Sequence, residues 1–495
     1  MRQIINPQLT FGEPDISQIA LDTSSRDDIP RILRGLQHIY VTPHLREQVF
    51  ALLAEVLPAG SEDDTKVSPE LGRPGMAQWK ILVLGTLRLN LNVDYDRILE
   101  LSNQHATIRQ MLGHSNWADD YRYRLQTLKD NLHLFTPELL DRINQVVVAA
   151  GHALVKESPD EPLAVRIDAF VVETTVHFPT DTNLWLDAVR KVIDTCADHG
   201  QEQGLSDWRQ AAYNQRCLKK ADRHVQRLKR SRSQDEEQRG ERDGEILQAY
   251  QDYLDLAEGV LGRARETRAK LLISYRWPAV LLAPLDGWMG HAERQIDQIR
   301  RRVVAGERIP HDEKVFSIFQ PHTEWINKGK AGVPVELGLR VAVSEDQHGF
   351  ILTHRVMEKI TDDQVAIPMV QDIPSRFSPV RSASLDKGFH SKANQAALAE
   401  MVPFPVMPKK GKRSQAERER EHDPECIYLR HRHSAVESAI NALEVHGLDM
   451  CPDHGIAGFK TYVALAVVGR NLHRLGAILL AQDAEQEKRT RKRAA

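Results

Sequence analysis

The stretch LAVRIDAFVVETTVHFP, Leu163–Pro179, decides the fold. It is rich in β-branched residues and comes close to alternating apolar with polar, the pattern of a half-buried strand. It contains Asp168. Behind it, Pro179, Thr180 and Asp181 open a helix, LWLDAVRKVIDTC, with Thr180 or Asp181 as its cap. Further strand patterns follow at Lys314–Phe319, Val333–Ser344 and Gly349–Met357, and again at Arg381–Asp386, where a short run ends in a carboxylate. Lys387 and Gly388 turn the chain there, and Ser391 caps a helix beginning near Lys392. Val402–Pro408 is one more short apolar run. Strands followed by helices, with long helical matter inserted, predict an α/β core rather than a bundle.

Outward from this core the chain reads as helix. Residues 1–155 carry apolar residues at helical spacing in Ile29–Leu57, Met76–Leu91 and Pro137–Val155, with turn signals at Gly72–Met76 and Asn90–Asp94. Ala77–Leu91 and Asp94–Ser102 fit either a DNA-reading helix-turn-helix or a plain helical hairpin, and the spacing favours the hairpin. Residues 204–305 are long, polar and helical, so they read as an insertion. Within them Trp208–Arg232 holds nine cations against one acid, Asp222, which suits either a solvated face or contact with a DNA backbone. After a basic loop, Lys409–Glu421, come a helix over His433–His446, a last helix over Phe459–Ala481 and a basic tail, Lys488–Arg493. The expected division is 1–155, 156–203 (first part of the core), 204–305, 306–481 (second part of the core) and 482–495.

Composition sets few limits. The chain has 495 residues, 41% hydrophobic and 27% charged, with a net charge of −3, so global charge does not announce a nucleic-acid binder. Four cysteines without a CxxC pair point to a reduced, cytoplasmic protein. The N-terminus lacks the apolar core of a signal peptide. The longest apolar stretch, Tyr462–Leu480, is interrupted by Arg470, His473 and Arg474, and predicts a buried helix, not a membrane span. His446, Cys451 and His454, with Cys426 and His422 nearby, match no usual zinc spacing.

Asp168, Asp386 and Glu437 are the acids of interest. Three carboxylates brought together would repel unless cations lay between them, and hard oxygen ligands suit Mg²⁺. Spacing alone does not select them from 69 acidic residues. The segments RIDAFVVETTVHFPTDTNLWLDAVR, SLDKGFHSKANQ and RHRHSAVESAINALEVHGLDMCPDHG resemble, in this order, the three catalytic blocks of bacterial DDE insertion-sequence transposases, in particular the ISNCY group. The resemblance spans roughly Pro162–Leu480. It implies an RNase H-like core in which Asp168, Asp386 and Glu437 are catalytic and hold two Mg²⁺ ions, with Mn²⁺ able to substitute. It also implies hydrolysis at transposon ends, strand transfer of the 3′-hydroxyl into target DNA, a homodimeric synaptic complex on the nucleoid, and no membrane partner. Where related families place a Lys seven residues after the catalytic Glu, this chain has Glu444, so Arg430, His431, Arg432 and His433 are expected to supply positive charge instead. Further DNA contacts are expected from Lys387, His390 and Lys392 beside Asp386, and from Lys409, Lys410, Lys412 and Arg413. The alternatives are a catalytically silent DNA-binding protein and a nuclease without strand transfer. Intact acids at all three positions favour the enzyme.

Overall fold

The computed structural model describes residues 3–5, 14–55, 75–115, 119–230, 236–327 and 334–494, and in it the deciding stretch forms strand β1, Leu163–Thr174. Six more strands join it: β2 (Glu324–Asn327), β3 (Val335–Glu345), β4 (Ile351–Met357), β5 (Val380–Leu385), β6 (Phe404–Val406) and β7 (Met450–Cys451). The sheet is mixed, in the order β2-β3-β1-β5-β6, with β4 on β3 and β7 on the end of β1. β1, β3 and β4 pair antiparallel in succession, whereas β5 and β6 run parallel to β1. Helices Asp362–Asp372 and Lys392–Met401 make the connections that parallel strands require. Lys314–Phe319, expected as a strand, is not one. There Ser317 Oγ accepts the backbone N–H groups of Phe319 and Gln320, a local turn that competes with a ladder.

The chain divides into two units, one of Met1–Thr175 with Ile326–Ala495 and one of Val176–Trp325. In the first, the sheet shares a single apolar core with the N-terminal helices, from Ile16 through Val148 to Leu479. The last helix, Gly455–Ala494, crosses helix Ile29–Val41 with the two backbones in contact: a Cβ on Gly476 would lie 1.7 Å from the Arg31 carbonyl oxygen. Buried Asn471 joins the layers, donating 2.7 Å to Asn144 Oδ1 and 2.8 Å to the Ile351 carbonyl on β4. The expected separate region 1–155 is therefore part of the sheet's own domain.

Within it the candidate DNA-reading pair is a hairpin of the core. Helix Gln78–Asn90 is buried on every face except Lys80, and Tyr95–Gln104 turns Asp96, Arg97 and Glu100 outward, with Arg97 and Glu100 paired at 2.5 Å. Ile29–Leu57 is two helices, Ile29–Val41 and Pro43–Ala54, because Pro43 forces Thr42 into extended backbone. The turn at Gly72–Met76 falls largely outside the described residues. At the other end the helix continues through Lys488–Arg493, so the basic tail is helical. This last helix is the one described helix long and apolar enough to cross a membrane, and 78% of its most apolar window is buried inside the fold.

The second unit is helical with its own core. Leu184, Trp185, Val189 and Ile193 on helix Asp181–Glu202 pack with Tyr253, Leu254 and Leu285, and the Trp185 and Tyr253 rings meet edge-on at 4.2 Å. The expected boundaries at 204 and 305 thus move outward to 176 and 325. Helix Asp181–Glu202 belongs to the insertion, because its apolar stripe matches the insertion's helices. Thr180 is its cap, accepting from the Asn183 N–H, and Asp181 pairs with Arg302 at 2.8 Å.

Candidate active site

The pairing of β1 with β5 sets the site. Ile167 lies opposite Leu385 in a parallel register, so the next residues along the two strands, Asp168 and Asp386, are neighbours across one strand spacing of about 5 Å. Asp386 leaves the sheet as the cap residue of a short turn, Lys387–Phe389. Glu437 comes from helix Ala435–Leu443, which buries Val436, Ala439, Ile440 and Leu443 while Glu437, in its first turn, stays exposed. Burial pushes the Asp168 carboxyl up to about 6, and repulsion from Asp386, Glu437 and Asp362 adds to it, against an opposing 2.7 Å hydrogen bond from the Ala169 N–H. Asp386 and Glu437, the two other acids singled out in the sequence, therefore lie within electrostatic reach of Asp168.

Asp362 is a fourth, not anticipated. It opens helix Asp362–Asp372, pairs with Arg340 at 3.3 Å, and leaves no room beside the turn after Asp386: a Cβ on Gly388 would lie 3.1 Å from Asp362 Oδ2. Glu173, five residues further along β1, pairs with Met450 of β7 instead.

His433 sits differently from the expected DNA contact. It is half-buried, with Nδ1 3.0 Å from Ser384 Oγ on β5, and burial lowers its pKa despite the nearby Asp386 and Glu437. Its other nitrogen, Nε2, is buried without a hydrogen-bond partner, so the site carries an unused donor or ligand atom. Arg166 fixes this corner, reaching Glu345 at 3.4 Å and the Arg432 carbonyl at 3.4 Å.

The other expected contacts divide. Lys387, Lys392, Lys410, Lys412, Arg430, His431 and Arg432 are exposed, and His390 is half-buried. Lys409 is bound to Glu417 at 2.9 Å and Arg413 to Glu421 at 2.9 Å, so half of that basic loop is neutralised by the helix that follows it.

No family model, curated protein or solved structure matches the chain. Carboxylates from β1, from the end of β5 and from two helix starts offer hard oxygens in one place, with an unpartnered imidazole nitrogen beside them, and this fits divalent cations. The carboxylates do not crowd to single-ion spacing. Among the described residues the one set of three or more ligands within 4.8 Å of one another is Asp28, His446 and His473. Two ions roughly 3.5–4 Å apart spread their ligands more widely than one.

The sequence sets His446 beside Cys451 and His454, whereas the fold sets it beside Asp28 and His473. His473 Nε2 lies 2.9 Å from Asp28 Oδ1, and His446 Nδ1 lies 2.5 Å from the Asn90 carbonyl, which accepts its proton. Arg31 binds the same Asp28 oxygen at 3.2 Å and Arg470 faces His473 Nδ1 at 3.4 Å. Burial lowers His473 to about 4. Two imidazoles and a carboxylate flanked by two guanidinium groups suit a polar tie between helices and match Mg²⁺ poorly.

Proposed function

We propose that this chain is a DDE-type DNA transposase with an RNase H-like core, cutting phosphodiesters at transposon ends and joining the freed 3′-hydroxyl to target DNA. The observation that carries the proposal is the register that sets Asp386 beside Asp168, with Glu437 and Asp362 close enough to disfavour ionisation of Asp168. The sheet supports it: three antiparallel strands, β4-β3-β1, continue into two parallel ones, β5-β6, and the acids occupy the middle of β1 and the end of β5.

Asp168, Asp386 and Glu437 would hold two Mg²⁺ ions, with Asp362 and His433 in reach as further donors. Bound there, such ions would supply Lewis-acid chemistry for the attacking water or 3′-hydroxyl and for the leaving oxygen. The chain's own residues do the rest. Arg340 holds Asp362, Ser384 holds His433, and Lys387 and Lys392, exposed beside Asp386, meet DNA phosphate.

The test uses Asp168→Asn, Asp386→Asn and Glu437→Gln on duplex DNA taken from both flanks of the gene. Each variant is expected to lose Mg²⁺- or Mn²⁺-dependent cleavage by at least a thousandfold, about 4 kcal/mol of transition-state stabilisation, while keeping end binding. Full cleavage by any one removes that residue from the triad. Cutting without joining would reduce the activity to that of a nuclease.

A further inference from the structure

Helix Ala211–Arg230 places its charge in one stripe. Arg216, Lys219, Lys220, Arg223, Arg227 and Arg230 are all exposed, and their spacing confines them to an arc of about 100° on the helix. Leu218 and Val225 point the opposite way into the core of the second unit, and Asp222, the helix's one acid, is buried with them. Elsewhere this unit pairs its surface charges: Arg265 with Glu293, Arg268 with Asp286, Arg300 with Glu258. Among the described residues none of the six stripe cations forms an ion pair with a carboxylate, and Arg223 acts on buried Asp222 only at longer range. Cations spaced in this way repel one another, and a polyanion laid along the stripe relieves that repulsion.

The geometry points to duplex DNA: we propose that this stripe is a backbone-binding surface, separate from the carboxylate site. The inference rests on the transposase reading for its partner. The stripe is straight and about 21 Å long, the span of roughly six base-pair steps. A membrane surface fits poorly, because an interfacial helix needs an exposed apolar face and this helix buries its own. Single-stranded nucleic acid fits poorly as well. Tyr213, at one end, is the helix's one exposed aromatic, too few for a stacking platform. The basic loop named from the sequence is the weaker surface, since Glu417 and Glu421 already occupy Lys409 and Arg413.

The experiment measures binding of the full chain to a labelled mixed-sequence duplex across a KCl series by fluorescence anisotropy. The variant carries Arg216→Gln, Lys220→Gln, Arg223→Gln and Arg227→Gln, since glutamine keeps the helix while removing charge. The plot of log K against log salt is expected to lose about 0.9 in slope for each contact removed, and affinity near 0.1 M salt to fall at least tenfold. A wild-type slope and affinity, in a variant with unchanged helical circular dichroism, would overturn the proposal. So would a loss of binding confined to single strands or to anionic phosphatidylserine vesicles. Asp168→Asn, measured in parallel, separates the two readings, because it should keep the wild-type slope and lose cleavage. Cleavage unaffected in Asp168→Asn, with the stripe's slope change intact, sinks the catalytic site alone. An unchanged slope in the stripe variant, with Asp168-dependent cleavage intact, sinks the stripe alone.

Discussion

Asp168 destabilises the metal-free fold at neutral pH. Its folded carboxyl titrates near 6 against an ordinary 3.8, so the folded chain holds a proton that the unfolded chain has released. A raised carboxyl contributes stability that is fully present below the unfolded value and is lost as pH rises through 6. At pH 8 the ionised group therefore opposes folding by roughly 2–3 kcal/mol. Asp168→Asn is expected to raise the urea midpoint at pH 8 in chelator and to leave it unchanged near pH 3.5. An equal midpoint at pH 8 would mean that burial and the neighbouring acids together do not disfavour its charge. The three acids were legible only through the order of three sequence blocks, because nothing in their spacing distinguishes them from the remaining acids. Asp362 had no such signal. It follows Thr361 in an ordinary helix-start pattern, and only the fold turns it toward the Gly388 turn. His433 reads as exposed within its run of Arg and His, and only the placement of β5 brings Ser384 to it.

Elements were readable where local chemistry agreed with packing. β1, with its branched residues, formed as expected, and so did the cap at Ser391, which accepts the Asn394 N–H. Lys314–Phe319 had apolar residues but no strand beside it, and its serine made a turn. Close helix packing was the least visible feature, because a glycine in a helix looks like a defect until its neighbour is known. Gly476 and Gly259 make the contrast testable. A Cβ on Gly476 would collide with the backbone of helix Ile29–Val41, whereas one on Gly259, in helix Glu236–Ile273, meets nothing within 4 Å. Gly476→Ala is expected to destabilise the first unit by about 3 kcal/mol or more, since neither backbone can yield. Gly259→Ala should stabilise the second unit by about 0.5–1 kcal/mol through helix propensity alone. Denaturant midpoints of the two variants give both signs, and a neutral Gly476→Ala would show that the helices do not touch there.

At the scale of the whole chain, the N-terminal region and the insertion both read as helix in the sequence, one apolar-periodic and the other polar, and only the fold shows their opposite relations to the sheet. Amphipathic spacing reports that a face will be buried, not what will bury it. Helix Pro137–Val155 covers β4 and the last helix through Asn144, Val147 and Val148, so its apolar stripe is completed by residues more than 190 positions away. Helix Asp181–Glu202 instead completes its stripe within Val176–Trp325, which is why the insertion starts directly after β1. These opposite dependencies predict opposite behaviour on truncation. Residues 176–325 expressed alone bring a whole core and should give a helical spectrum with one cooperative thermal transition. A chain beginning at residue 156 exposes the apolar faces of β4 and the last helix, and should aggregate or unfold without cooperativity. Residues 1–155 alone lose the same contacts and should show no cooperative transition, as an autonomous DNA-binding domain would. Circular dichroism melts of the three fragments decide it. A sharp transition in fragment 1–155 would restore the independent N-terminal domain, and its absence from fragment 176–325 would dissolve the insertion as a folding unit.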